Sequence, residues 1–150
     1  MPNYPGKAKT LRMTGESLTA ATKTLTPADS GTIYYLNKAD GIAITLPAIS
    51  GGENLVYEFQ VDTAISGGNV TITAQSGDLL DGSVENIDTD TSNAHAYYAP
   101  DGSDDLIMTM NGTTKGGAVG THCRFASTPG GKWWVTGQMI ASGTVATPFS

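Results

Sequence analysis

Period-two alternation of apolar and polar residues recurs in short runs along most of this chain, with glycine, proline, asparagine and aspartate between them. The clearest frame is Ala118 to Met139, where two alternating runs flank a Ser-Thr-Pro-Gly-Gly turn. This is the sequence form of a β-hairpin with a loop longer than two residues. In the first arm Val119, Thr121, Cys123 and Phe125 share one face, while Gly120, His122, Arg124 and Ala126 share the other, because successive strand side chains point to opposite sides. In the second arm Trp133, Val135, Gly137 and Met139 share a face, leaving Trp134 opposite. The pattern predicts Cys123 and Trp133 in a core, and His122 and Trp134 at the surface.

Further runs extend from Leu18 to Leu25, Thr32 to Leu36, Ile42 to Leu46, Leu55 to Val61, Val70 to Ala74, His95 to Tyr98 and Leu106 to Met110. Their one-sided apolar faces predict half-buried antiparallel strands. The turn residues Asn37 to Gly41 and Ser66 to Asn69 predict that neighbours in sequence pair as hairpins. Pro47 ends its strand, since it cannot donate to a ladder. Between Asp78 and Asn93 the alternation weakens, and a surface excursion with one short strand from Val84 to Ile87 is expected. No repeat of fixed period marks a solenoid or propeller. Many short strands and no amphipathic helix predict an all-β antiparallel sandwich or barrel, a single domain over residues 17–150.

The N-terminal residues 1–16 show neither period and contain Pro2, Pro5, Gly6 and Gly15, so they are expected to form an extended arm. Charge sharpens that division. Residues 1–23 carry Lys7, Lys9, Arg12 and Lys23 against Glu16, a net +3, whereas the remainder carries four basic and thirteen acidic groups, a net −9. Leu, Ile, Val and Phe together make up just under a fifth of the 150 residues, and 21 threonines supply the missing β-branched character. The one cysteine, Cys123, has no partner for an internal disulfide. The apolar stretches are far too short to span a bilayer, so no membrane is expected as a partner.

Reactive chemistry is sparse. His122 and Cys123 are adjacent in a strand, face opposite sides, and cannot serve as base and nucleophile for each other. His95 would have to meet a partner from another strand, and no phosphate loop, nucleotide fingerprint, nucleophile elbow or zinc-binding helix motif occurs. The acidic groups Asp78/Asp81, Asp88/Asp90 and Asp101/Asp104/Asp105 lack the spacing of a calcium loop and read as turn caps. The acidic body argues against nucleic acid as a partner. Tyr34, Tyr35, Tyr97, Tyr98 and Trp134 offer either a sugar-stacking platform or, as adjacent pairs, one ring in the core and one at an interface. No enzyme activity, metal or cofactor is expected.

Three phrases are more specific than generic β sequence: LTPADSGTIYYLNKADGIAITLPAISGG from Leu25, MNGTTKGGAVGTHCRF from Met110 and KWWVTGQMIASGTVATPFS from Lys132. In that order they resemble the small β-rich virion proteins of tailed bacteriophages, in particular capsid decoration (cement) proteins. The resemblance implies a jelly-roll-like sandwich, a homotrimer at three-fold positions of an icosahedral shell, a place on the outer capsid surface of the virion, and no catalysis. It supplies no residue-level binding motif. Under it, the arm is expected to clamp the major capsid protein through Tyr4, Lys7, Lys9, Leu11, Arg12 and Met13, with Lys23 near its base. Outward Trp134 and the C-terminal residues Val145 and Phe149 are expected at the oligomer interface. The alternative role is a tail-fibre or appendage module that binds host-surface carbohydrate.

Overall fold

The computed structural model describes residues 13–50, 54–90 and 94–150. Its strands are β1 (Thr14–Leu18), β2 (Thr22–Thr24), β3 (Thr32–Leu36), β4 (Ala43–Thr45), β5 (Val56–Val61), β6 (Val70–Thr73), β7 (Leu80–Asp88), β8 (His95–Tyr98), β9 (Ile107–Met110), β10 (His122–Ser127) and β11 (Trp133–Ala141). A single 3-10 turn at Pro27–Asp29 is the helical content among the described residues. The strands form a seven-stranded sheet in the order β1-β3-β5-β10-β11-β7-β8 and a four-stranded sheet in the order β2-β4-β6-β9. The two sheets pack over one apolar core, so the fold is an all-β sandwich.

The pairing is mixed, which corrects the antiparallel, jelly-roll-like expectation. From β1 to β6 the chain alternates between the sheets, so β1, β3 and β5 stack in parallel in one sheet and β2, β4 and β6 stack in parallel in the other. This half is a short coil of strands. The runs around Tyr34 and Ile44 therefore lie in different sheets, as do those around Phe59 and Ile72, and neither pair is a hairpin. The glycines of these two turns serve another purpose. A Cβ on Gly41 would lie 2.1 Å from the Asn69 carbonyl oxygen, and one on Gly68 would lie 2.1 Å from that of Asp40. Successive crossover loops thus touch backbone to backbone, and Ser66 and Gly67 N–H both donate to the Ala39 carbonyl. The coils are separated by 18 residues from Thr14 to Thr32 and 25 from Thr32 to Tyr57, so no fixed period marks them in the sequence.

The second half is closer to expectation. β10 and β11 form the hairpin, antiparallel from His122↔Gln138 to Ser127↔Trp133. Its first arm starts later than predicted: Val119 sits in a turn and is 59% exposed. The region read as a surface excursion is instead the nine-residue β7, parallel to β11 along its whole length. Its inward positions are Leu80, Gly82, Val84, Asn86 and Asp88, so a full strand is hidden behind three non-apolar core residues. Gly82 is required there, because its φ is +96° and a Cβ would meet the Val135 carbonyl oxygen at 2.2 Å.

Between the sheets, Tyr34 stacks on Phe59, Phe59 meets Phe125 edge-on and Tyr57 leans on Trp133, each pair 5.7 Å between ring centroids. Ile44, Val70, Ile72, Met108 and Met110 close the core from the smaller sheet. Phe149 is also in this core, 5% exposed, where the C-terminal residues bridge to Met108 along the edge of β9. That burial removes Phe149 from any intermolecular interface. Pro148 and Ser150 carbonyls accept from Thr109 and from Leu106 and Ile107, so the segment acts as an extra edge strand of its own sandwich.

Candidate binding face on the seven-stranded sheet

The inward set of the seven-stranded sheet is apolar, and strand alternation therefore turns a second, polar set outward. Register aligns these outward side chains into rows. One row crosses all seven strands: Ser17, Tyr35, Gln60, His122, Gln138, Glu85 and Tyr97. A second holds Ile33, Glu58, Arg124, Thr136 and Ser83, and a third Val56, Ala126, Trp134 and Asp81. The aromatic rings that stand most exposed among the described residues, Tyr97 at 71%, Trp134 at 49% and Tyr35 at 36%, all lie on this face.

Polar contacts order the face. Glu85 lies 3.4 Å from Nδ1 of His95 and accepts from Nε2 of Gln138 at 3.5 Å, and His95 meets Tyr97 edge-on at 6.4 Å. Arg124 Nε lies 3.9 Å from Glu58, and Lys132 Nζ lies 3.2 Å from Asp81. The Gly82 N–H and Lys132 hold the Asp81 carboxyl below its ordinary pKa. Shallow depressions of about 240 and 310 Å³ open between the rows, around Gln60 and His122. A larger one of about 500 Å³ lies toward the β1 end, where Met13, Val56, Glu58 and Arg124 meet.

The residues singled out in the sequence fall as follows. Trp134 is outward and Trp133 fully buried. His122 is exposed while Cys123 is buried behind it, and burial pushes the thiol pKa upward. His95 and His122 share the outer face but stand in different rows, three strands apart in the sheet order. Asp101, Asp104 and Asp105 come within 4.8 Å of one another. Their geometry is that of a turn: Asp101 accepts from Ser103 and Asp104 N–H, which lowers its pKa, and Asp105 accepts from the Asp101 N–H.

Tyr4, Lys7, Lys9, Leu11 and Arg12 lie outside the described residues. Met13 is exposed beside the β1 end of the face. The arm boundary needs correcting, because Thr14, Gly15 and Glu16 already belong to β1. Lys23 is not spare either: it pairs with Glu16 at 2.7 Å and lies 5.4 Å from the Tyr34 ring centre. Val145 is half-buried. Comparison with protein-family models, curated proteins and solved structures finds no match to this chain.

Proposed function

We propose that this protein decorates an icosahedral phage capsid, as a homotrimer on the outer surface of the virion, and stabilises it by tying neighbouring major capsid protein subunits together. The observation that carries this reading is how the basic N-terminal stretch joins the body. Lys7, Lys9 and Arg12 precede β1 directly, and β1 pairs with β3 along all five of its residues at an open edge of the seven-stranded sheet. The stretch thereby enters the body through a paired edge strand that begins at Thr14. Lys23 is engaged by Glu16, and the first twelve residues carry Lys7, Lys9 and Arg12 with no acidic group. The body beyond them is acidic, so the same shell surface that attracts the stretch repels the body and favours docking end-on.

The test uses the full chain with Lys7→Glu, Lys9→Glu and Arg12→Glu together, mixed with particles stripped of this protein. Each exposed pair lost is worth about 0.2–1 kcal/mol, so rebinding should weaken by roughly 3- to 150-fold and lose most of its salt dependence. Rebinding of undiminished affinity and equal salt dependence would overturn the arm as the clamp. A truncation for the same purpose has to begin at Thr14, since a start at Ser17 removes three residues of β1.

A further inference from the structure

The long polar row of the seven-stranded sheet is not used by the decoration reading. Its interior members, Gln60, His122, Gln138 and Glu85, are amide, imidazole and carboxylate groups on four successive neighbouring strands, and Tyr35 and Tyr97 stand one strand beyond them on either side. Five strand spacings of about 4.8 Å put the two tyrosines about 24 Å apart. We infer that this row is a binding platform for a neutral oligosaccharide, laid across the strands with sugar rings on Tyr35 and Tyr97 and hydroxyl groups on the side chains between them.

The chemistry of the row matches that ligand. A pyranose presents a C–H face, which packs on an aromatic ring, and a rim of neighbouring hydroxyls that each donate and accept. Planar groups with two polar atoms side by side, such as the Gln60 and Gln138 amides and the Glu85 carboxylate, engage two adjacent hydroxyls at once. The depression between the rows, lined by Gln60, His122 and Arg124, gives such a ring a seat. Charge selects a neutral glycan over a sulfated or phosphorylated one, because the cations of the face are already committed: Arg124 to Glu58 at 3.9 Å and Lys132 to Asp81 at 3.2 Å. A protein partner fits less well. Its anchor would need a contiguous apolar patch, and along this row the two rings are separated by polar residues, whereas Trp134 stands two rows away.

The experiment is calorimetric titration of the full chain with chitohexaose, maltohexaose, mannohexaose and dextran, with heparin as the polyanion. At least one neutral glycan should bind. Tyr97→Ala, Tyr35→Ala and Gln138→Ala should each weaken it by about tenfold, the scale of one lost stacking or hydrogen-bonding contact. Tyr97→Phe should retain binding, and Thr71→Ala, in β6 of the other sheet, should leave it unchanged. Tyr97 is 71% exposed, so its removal leaves the core intact. The inference fails if no neutral glycan of the panel binds, if binding ignores the row variants, or if only heparin binds and does so salt-sensitively. It also fails if light scattering finds a self-associated wild type that Tyr97→Ala disperses, which would give the face to a second copy.

Discussion

Asn86 is the residue whose loss should be felt furthest from its own strand. Fully buried in β7, it donates from Nδ2 to the Thr114 carbonyl at 2.8 Å and to the Ala146 carbonyl at 3.2 Å. One amide thereby pins both the Asn111–Gly117 loop and the C-terminal segment to the sheet. Asn86→Ala leaves the Thr114 oxygen with the Ala146 N–H at 2.8 Å, but strands the Ala146 oxygen. A net hydrogen bond is worth about 1 kcal/mol and stranding the half-buried Ala146 carbonyl about 1–2, so the expected cost is about 2–3 kcal/mol. Oδ1 adds nothing to this, as it has no hydrogen-bond partner among the described residues. Urea unfolding followed by tryptophan fluorescence reads the change: with a slope of about 1–3 kcal/mol per molar, the midpoint should fall by about 1–2 M at constant slope. Asn86→Asp supplies the control, since it keeps the shape and replaces the donor by an oxygen facing two carbonyls. At pH 7 it should be at least as destabilised as the alanine variant. An aspartate variant as stable as wild type, or an alanine variant within about 0.5 kcal/mol of it, would refute the clamp.

The two tryptophans should fail differently. Trp133→Ala removes a fully buried ring packed on Tyr57 and should cost about 3–5 kcal/mol, whereas Trp133→Phe should cost less, because the indole N–H has no acceptor among the described residues to lose. Trp134→Ala should leave thermal stability nearly unchanged and weaken self-association, measured by light scattering. Asp29 accepts from the Thr26 N–H and hydroxyl, which holds its pKa below the ordinary carboxylate value. A depressed folded-state pKa stabilises above the unfolded value, so wild type should exceed Asp29→Ala in stability at neutral pH. That margin should disappear as pH falls below about 3.9 and through the lowered pKa of Asp29. A margin that grows on acidification would contradict the cap.

The local signals in the sequence were sufficient for most strands. Thr32–Leu36 and His95–Tyr98 coincide with β3 and β8, and the faces of Trp133, Trp134, His122 and Cys123 followed from alternation alone. Partner choice was not local. Asp40-Gly41 and Gly67-Gly68 look like hairpin turns, yet these glycines permit crossover loops to stack, a contact between segments far apart in sequence. β7 was concealed because Gly82, Asn86 and Asp88 occupy inward positions where alternation looks for apolar groups. Phe149 was apolar at a chain position with no alternation, and only the pairing with β9 places it in its own core. The polar row from Tyr35 to Tyr97 depends on register within a seven-stranded sheet, three of whose six pairings are parallel, so no single segment carried its signal.

The capsid role is tested most directly by locating and counting this protein in purified virions, by cryo-electron microscopy of the shell together with quantitative mass spectrometry. Density at the three-fold positions of the outer surface is expected, with a copy number in proportion to the major capsid protein. Density confined to the tail, with a handful of copies per particle, would contradict it and establish the appendage role instead.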